Sequence, residues 1–388
     1  MQNFRYYVPT EIYFGRGQIC HLTDAIRRFG SRVLLVYGGG SIRKTGLYDV
    51  VLSQLRAGGV TVTELPGVDP NPRIETVRQG AALCRRHDIQ VVLAVGGGSV
   101  IDCSKAVAAG ARYDGDPWDL VLDHAKVRDA LPVVSVLTIA ATGSEMNGFA
   151  VISNLAVYAK QSIFSPLLVP KVSILDPEYT FTVPAYHTAA GTADIMSHLF
   201  ELYFKKVEGA YLQPRLIEGL LKTCVHCGAK AVQTPDDYGA RANLMWASTW
   251  AINGFLAAGF AGTWSCHAME HPLSAYYDVA HGAGLAVITP VWMRHILGEK
   301  TVDLFAAYGR AVWDLPPEAD PYDTARRAID KTAAYFAQLG LPGTLRALGI
   351  SEKDKFEEMA VKAVGRGLGT CYVPLHVRDV VDIHEAAY

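Results

Sequence analysis

IQVVLAVGGGSVIDCSKAVAAG, residues Ile89–Gly110, decides the fold. Its first part, Ile89–Val95, is a short apolar, β-branched run, the pattern of a strand buried on both faces. Gly96-Gly97-Gly98-Ser99 follows at once and opens a helix. Glycines at such a junction let backbone N–H groups approach an anion, and the helix N-terminus adds its positive dipole. A tight turn alone needs fewer glycines, so the loop reads as a phosphate cradle. The spacing differs from the G-x-G-x-x-G fingerprint of dinucleotide folds. Asp102 lies one helical turn in, placed either to cap the helix or to reach the nicotinamide end of a cofactor.

Outward from this unit the alternation continues. Strands are expected at Arg32–Tyr37, Val60–Leu65 and Pro132–Leu137, and helices at Leu47–Gly58 and Arg73–His87. Ala150–Ser153 and Val172–Leu175 read as further strands. Strands alternating with helices predict a parallel sheet covered on both faces. Beyond Asp176–Pro184 strand signals almost vanish and alanine- and leucine-rich helical segments run to Gly365. The reading is an α/β dinucleotide-binding domain over residues 1–184 and an all-α, metal-binding domain over 185–388. Tyr6–Phe14 alternates weakly and is expected to be an edge strand that pairs between subunits.

Two more segments belong with the glycine loop. Gly38-Gly39-Gly40-Ser41 follows the first strand, where dinucleotide folds commonly place an acid that holds a ribose hydroxyl and repels a 2′-phosphate. Glycine and serine stand there instead, with Arg43 and Lys44 nearby, which favours NADP(H). Thr138, Thr142, Gly143 and Ser144, in LTIAATGSEMN (Leu137–Asn147), supply hydroxyls and a glycine after a strand, suited to a pyrophosphate or nicotinamide contact.

The helical half carries five metal-type side chains. Asp194 and His198 are four residues apart in GTADIMSHLF, His267 and His271 four apart in SCHAMEHPLS, and His281 follows in AHGAG. Residues at i and i+4 share a helix face. A lone histidine in an apolar helix is more often a satisfied core residue. Three at this spacing, matched to an acid-x-x-x-histidine pair, point to one divalent ion. Mixed carboxylate and imidazole donors suit Fe2+ or Zn2+, not calcium or magnesium. Cys266 adjoins His267, and consecutive helix residues diverge by about 100°, so it is expected to face away.

Composition narrows the rest. With 388 residues, half of them hydrophobic, the chain can build two sizeable cores. A formal charge of −2 and no basic segment argue against nucleic acid and anionic membrane as partners. Seven scattered cysteines are not a disulfide framework and fit a reducing, cytoplasmic setting; Cys224 and Cys227 read as packing residues. The N-terminus lacks a secretory apolar region. Asn243–Met269 is free of charge and long enough to span a bilayer, but its glycines and polar residues read as two buried helices broken near Gly259–Gly262.

These motifs together resemble the iron-containing (group III) alcohol dehydrogenases, and more narrowly their NADPH-dependent butanol dehydrogenase and aldehyde reductase branch. FGRG (Phe14–Gly17), YGGGSIRKTG (Tyr37–Gly46), DPNP (Asp69–Pro72), AVGGGSVID (Ala94–Asp102), ATGSE (Ala141–Glu145), SPLLVPKVSILDP (Ser165–Pro177), the D-x-x-x-H pair, and H-x-x-x-H followed by His281–Gly282 carry it over nearly the whole chain. The resemblance implies a dehydroquinate-synthase-like architecture with Asp194, His198, His267 and His281 as metal ligands. It implies Gly38, Gly40, Ser41, Asn71, Gly97, Gly98, Ser99, Asp102, Thr138, Thr142, Lys160 and Tyr179 around the cofactor, the last two of the set near the nicotinamide ribose. It further implies a homodimer.

The activity expected is hydride transfer between NADP(H) and an alcohol/aldehyde pair such as butanol and butanal. His271, the fifth member of the cluster, is expected to relay the proton. Trp246, Trp250, Phe255 and Trp264 are candidates for an apolar substrate pocket. The rivals are an NAD-dependent polyol (glycerol-type) dehydrogenase, a dehydroquinate-synthase-like lyase, and a non-catalytic nucleotide- or metal-binding protein. The lyase would need basic groups around the metal, and the histidine motifs here have apolar flanks.

Overall fold

The computed structural model describes residues 2–260 and 262–388. They fall into two compact units: one holds Tyr7–Val183 with Pro235–Thr249, the other Pro184–Thr234 and Trp250–Tyr388 with the N-terminal residues up to Tyr6.

The first unit is built on strands β1 (Glu11–Phe14), β2 (Arg32–Gly38), β3 (Thr61–Val68), β4 (Val91–Gly96), β5 (Val133–Leu137), β6 (Phe149–Asn154), β7 (Ala159–Phe164) and β8 (Val172–Leu175). Its helices are α1 (Leu22–Arg27), α2 (Ser41–Lys44), α3 (Leu47–Ala57), α4 (Ile74–Arg86), α5 (Gly98–Gly110) and α6 (Pro117–Leu122). Six strands form one parallel sheet in the order β1-β8-β5-β4-β2-β3. The alternation within β2 shows why both faces are covered. Leu34 and Val36 join a buried cluster with Val77 of α4 and Val107 of α5, while Val33, Leu35 and Tyr37 join another with Ile26 of α1 and Val51 of α3. Each such aliphatic side chain contributes roughly 1.5–3 kcal/mol by leaving water.

One expectation is corrected here and another, the edge strand, is shortened. The strand expected at Ala150–Ser153 does form, as part of β6, but not in the parallel sheet. It pairs antiparallel with β7 in a separate hairpin. The sequence of β7, AKQSIF, has no apolar alternation to announce it. Of Tyr6–Phe14 only Glu11–Phe14 is strand, hydrogen-bonded in parallel to β8 at the end of the sheet.

The second unit is helical: α7 (Ala185–Tyr203), α8 (Leu212–Gln233), α9 (Tyr238–Ile252), α10 (Cys266–Tyr277), α11 (His281–Ile296), α12 (Val302–Trp313), α13 (Pro321–Gln338), α14 (Phe356–Val364) and α15 (Val377–Ala387). Helix α7 is buried on every side from Thr188 to Tyr203, as a central helix must be. Helix α9 belongs to this unit only from Trp250 onward. Its earlier part supplies the sheet unit with Met245 for the core, Ser248 Oγ to accept from the Gly143 N–H at 3.2 Å, and Thr249 Oγ1 to donate to buried Glu145 at 2.5 Å. The division is therefore not the single cut after residue 184 that the sequence reading drew. The charge-free stretch Asn243–Met269 resolves into parts of α9 and α10. Among the described residues no helix is long and apolar enough to cross a membrane.

Candidate metal centre and coenzyme loops

Helix α7 places Asp194, His198 and Glu201 on one face, at i, i+4 and i+7. Asp194 Oδ1 lies 3.4 Å from His198 Nε2, 3.7 Å from His267 Nε2 and 3.8 Å from His281 Nε2. Ligand bonds of about 2.0–2.2 Å in a tetrahedron put neighbouring donors about 3.4 Å apart, so these gaps suit one small ion. Asp194 Oδ1 and His267 Nε2 are buried and have no hydrogen-bond partner, which is costly for polar atoms unless something else binds them. Burial pushes the Asp194 carboxyl up, but the three imidazoles outweigh it and hold the group ionised, well below the usual carboxylate range. Burial pushes His198 down, leaving a neutral ring. His267 is pushed up despite its burial because Asp194 and Glu201 flank it. A proton there stands where a cation would, and an incoming ion must displace it.

Two outer carboxylates orient the rings, and neither was singled out in the sequence. Glu201 Oε1 lies 3.2 Å from His267 Nδ1. The same carboxylate accepts the backbone N–H groups of His267 at 3.0 Å and Ser265 at 2.7 Å. Helix α10 lacks a local side-chain cap, so α7 both caps it and fixes its first histidine. Glu270 is fully buried, hydrogen-bonded to Ser274 Oγ and to His281 Nδ1. Carboxylate–imidazole pairs of this kind fix the tautomer and leave Nε2 free to ligate. Glu201 was detectable from its i+7 spacing to Asp194, and Glu270 from its place inside HAMEH.

His281 reaches the cluster because Gly282 lets α11 touch α7. A Cβ at Gly282 would lie 2.0 Å from the Ala190 carbonyl oxygen. His271 joins Glu270 and His281 in a second close group, and its ring centroid is 5.4 Å from that of His281. Its Nδ1 is 2.6 Å from Arg366 Nη1. Arginine only donates, so Nδ1 accepts and the ring proton sits on Nε2. Nothing in the local sequence pattern links Arg366 to His271. Cys266 is buried and belongs to neither metal-type group. Of the four candidate pocket aromatics Trp264 meets the cluster, with its ring centroid 4.9 Å from His267 and 5.6 Å from His198. Trp250 packs on Phe255, and Trp246 packs on Phe14 within the sheet unit.

In the sheet unit, Gly38 ends β2, while Gly40 and Ser41 open α2. Gly97 and Gly98 stand at the start of α5. Their lack of a side chain has a packing cause: a Cβ would come within 2.3 Å of Ile139 Cγ2 at Gly97, and within 2.1 Å of Thr142 Oγ1 at Gly98. The glycine run is thus required by close approach of the β5–β6 connection, which the sequence argument for a phosphate cradle did not consider. Ser99 Oγ donates to the Pro70 carbonyl oxygen, beside buried Asn71. Thr138 N–H donates to the Gly96 carbonyl oxygen at 3.0 Å, which sets the start of the following loop.

Asp102 neither caps α5 nor lies open. Its oxygens accept from Ser144 Oγ at 2.5 Å and from the Val151 N–H at 2.8 Å. Burial pushes this carboxyl up against the pull of Lys105 and Lys160. Fully buried Lys105 donates to Ser144 Oγ, Asn147 Oδ1 and the Phe149 carbonyl oxygen, and burial brings it down to about 8. Lys160 is buried on β7, and Tyr179 is half-buried against the sheet core, where burial pushes its phenol up to about 12.

Two family models match nearly the whole chain: iron-containing alcohol dehydrogenase over residues 9–177, and the C-terminal domain of the Fe-containing alcohol dehydrogenase family over residues 188–388. The chain belongs to the iron-containing alcohol dehydrogenase family. It is 51% identical to NADH-dependent butanol dehydrogenase A of Clostridium acetobutylicum, over 100% of both chains. It is 39% identical to the NADPH-dependent aldehyde reductase YqhD of Escherichia coli, over 90% of each. Its structure matches the crystal structure of NADH-dependent butanol dehydrogenase A from Thermotoga maritima with a TM-score of 0.95 at 38% identity, covering 100% of this chain and 99% of that one. The protein is an alcohol/aldehyde oxidoreductase of this family, and membership implies a nicotinamide coenzyme and a metal.

Proposed function

We propose that the protein reduces short straight-chain aldehydes such as butanal, and oxidises the matching primary alcohols, using a nicotinamide coenzyme and one Fe2+ or Zn2+ ion. The observation that carries this is the convergence of three imidazoles on Asp194 Oδ1 within 3.8 Å. Asp194, His198, His267 and His281 would hold the ion, which when bound supplies a Lewis acid for the substrate oxygen. The coenzyme supplies or accepts the hydride. Glu201 and Glu270 keep the imidazoles aligned. His271, whose Nδ1 accepts from Arg366, offers its Nε2–H to the substrate oxygen as a hydrogen-bond donor, and the proton that completes the alcohol is drawn from solvent through this contact. Trp264 presents an apolar wall beside the cluster, which suits an alkyl chain better than a polyol.

In the sheet unit, the N–H groups of Gly98 and Ser99 at the start of α5 are proposed to receive the coenzyme phosphates. Asn71, Thr138, Thr142, Lys160 and Tyr179 are proposed to flank it, while Asp102 organises the loop and β6 from behind. Coenzyme choice is part of the proposal. The absence of an acid after β2 leaves a 2′-phosphate unrepelled, which on sequence grounds favoured NADP(H). Arg43, one of the two bases invoked there with Lys44, is paired to Glu64, and two relatives at 51% identity carry NADH-dependent in their names. We expect both coenzymes to be used, NADH with the higher kcat/KM. A reducing, cytoplasmic setting is part of the proposal, and the seven cysteines, which form no disulfide, fit it. The outer edge of β1 is the surface on which a second copy would pair to form a homodimer.

The test is butanal reduction by metal-reconstituted protein, wild type beside His267→Ala, with NADH and NADPH and with glycerol oxidation as a second arm. Turnover of butanal that requires His267 supports the reading. Turnover of glycerol alone replaces it with the polyol reading.

A further inference from the structure

Four side chains at the first glycine turn form a closed group that the activity itself does not require. Arg43 of α2 lies with its guanidinium carbon 3.8 Å from the centroid of the Tyr48 ring. Its Nη2 donates to Tyr37 Oη at 2.5 Å and to Glu64 Oε2 at 3.2 Å. Glu64 also accepts from Tyr37 Oη at 2.6 Å and from Tyr48 Oη at 2.9 Å. One carboxylate therefore organises two phenols and a guanidinium. Its place on β3 matters. Glu64 is opposite Leu35 of β2, three residues before Gly38. At about 3.3 Å per residue the Glu64 backbone lies roughly 10 Å back along the strands from Gly38, and its carboxylate draws the guanidinium in that direction, over the Tyr48 ring.

The turn itself is open. A Cβ at Gly39 or Gly40 would meet no atom within 4 Å, in contrast to the crowded Gly97 and Gly98. The left-handed φ of 110° accounts for glycine at 40, but neither crowding nor a positive φ accounts for glycine at 39. There is thus room for a group on the ribose, no acid within Gly38–Ser41 to repel it, and a base in the next turn that is held by Glu64.

We propose that Glu64 is a coenzyme-selectivity residue: it sequesters Arg43 from the site of a 2′-phosphate, so the chain gains nothing from NADPH over NADH. This rests on the nicotinamide-coenzyme reading above. An isolated exposed ion pair is worth little. Here the stacking on Tyr48 and the shared phenols add geometric constraint, so releasing the arginine requires loss of the carboxylate, not merely salt. Arginine freed toward the turn would meet a phosphate with its paired N–H groups, the geometry it matches best.

The experiment measures dissociation constants of NAD+ and NADP+ by calorimetry on metal-loaded wild type, Glu64→Gln, Arg43→Met and the double variant. Expected is about tenfold tighter NADP+ binding in Glu64→Gln, corresponding to about 1.4 kcal/mol. NAD+ should change by less than about twofold. The Arg43→Met variant should bind NADP+ like wild type, and the double variant should lose the gain. A gain that survives in the double variant assigns it to Lys44 or to the removed negative charge, and overturns the arginine's role. An unchanged ratio in Glu64→Gln with NAD+ still bound overturns the proposal while leaving the coenzyme reading intact. No binding of either dinucleotide by any variant, with melting temperatures at the wild-type value, removes both.

Discussion

Glu270 has no exposed surface and sits between Ser274 and His281. Its negative charge raises the basicity of an imidazole that must donate to a cation. Replacing it with glutamine keeps the shape and removes the charge, so metal affinity should fall about 10–100-fold. Competition with a chelator, read by metal analysis, checks this. Glu201→Gln should show the same loss and also melt earlier, because its carboxylate caps α10 at Ser265 and His267. For His271, removal to alanine should lower kcat about a hundredfold and flatten its pH profile. An unchanged kcat across pH would reject the relay role. At this scale much was readable in advance. The i, i+4 pairs bring out four of the five metal-type residues because helix geometry fixes which side chains share a face, and His281 follows from AHGAG. Arg366 was not readable, since it reaches His271 from 95 residues away. The sequence places Asp102 either as a helix cap or toward the nicotinamide end, because a helix-start acid gives no sign of the distant Val151 N–H and Ser144 Oγ that it binds.

Among the elements, the contact of α11 with α7 is the most exposed to a single change. Gly282→Ala would drive a methyl group to within 2.0 Å of the Ala190 carbonyl oxygen, a backbone atom that has no rotamer with which to yield. Either helix must shift, and His281 moves with α11. The expected outcome is a loss of roughly 1–3 kcal/mol in stability, seen as an earlier urea midpoint, together with weakened metal binding. Preserved affinity and midpoint would show that the helices part without cost. The parallel strands were legible because burial on both faces writes them as short apolar runs. The hairpin was not. β6 resembles any sheet strand in composition, and β7 carries Lys160, Gln161 and Ser162, so only the pairing itself distinguishes a separate antiparallel ribbon.

Taken whole, the chain is close to neutral, with a formal charge of −2, so its response to acid is governed by individual buried groups. His384 on α15 has no exposed surface and lies 5.5 Å from the Phe356 ring. Burial pushes its imidazole down to about 4, against a backbone contact at Met269 that acts the other way. The folded pKa is depressed, so the unfolded chain takes up the proton first. Stability from this group is complete above about pH 6.5 and is lost as pH falls toward 4, by up to about 3 kcal/mol. Urea midpoints of metal-free wild type and His384→Phe at pH 7.5, 5.5 and 4.5 should converge or cross as pH falls, because only the wild type acquires this proton. Parallel pH trends would assign acid lability elsewhere. The return of Pro235–Thr249 to the sheet unit has a consequence for synthesis. A ribosome that has extruded the strands through Leu175 has not yet supplied Met245 to the core, or Ser248 and Thr249 to Gly143 and Glu145. The nascent sheet unit must wait, with a carboxyl lacking its donor, while α7 and α8 are translated. Slow codons or a chaperone would act most usefully over that interval, and a gene cut after residue 184 would yield a fragment that never leaves it.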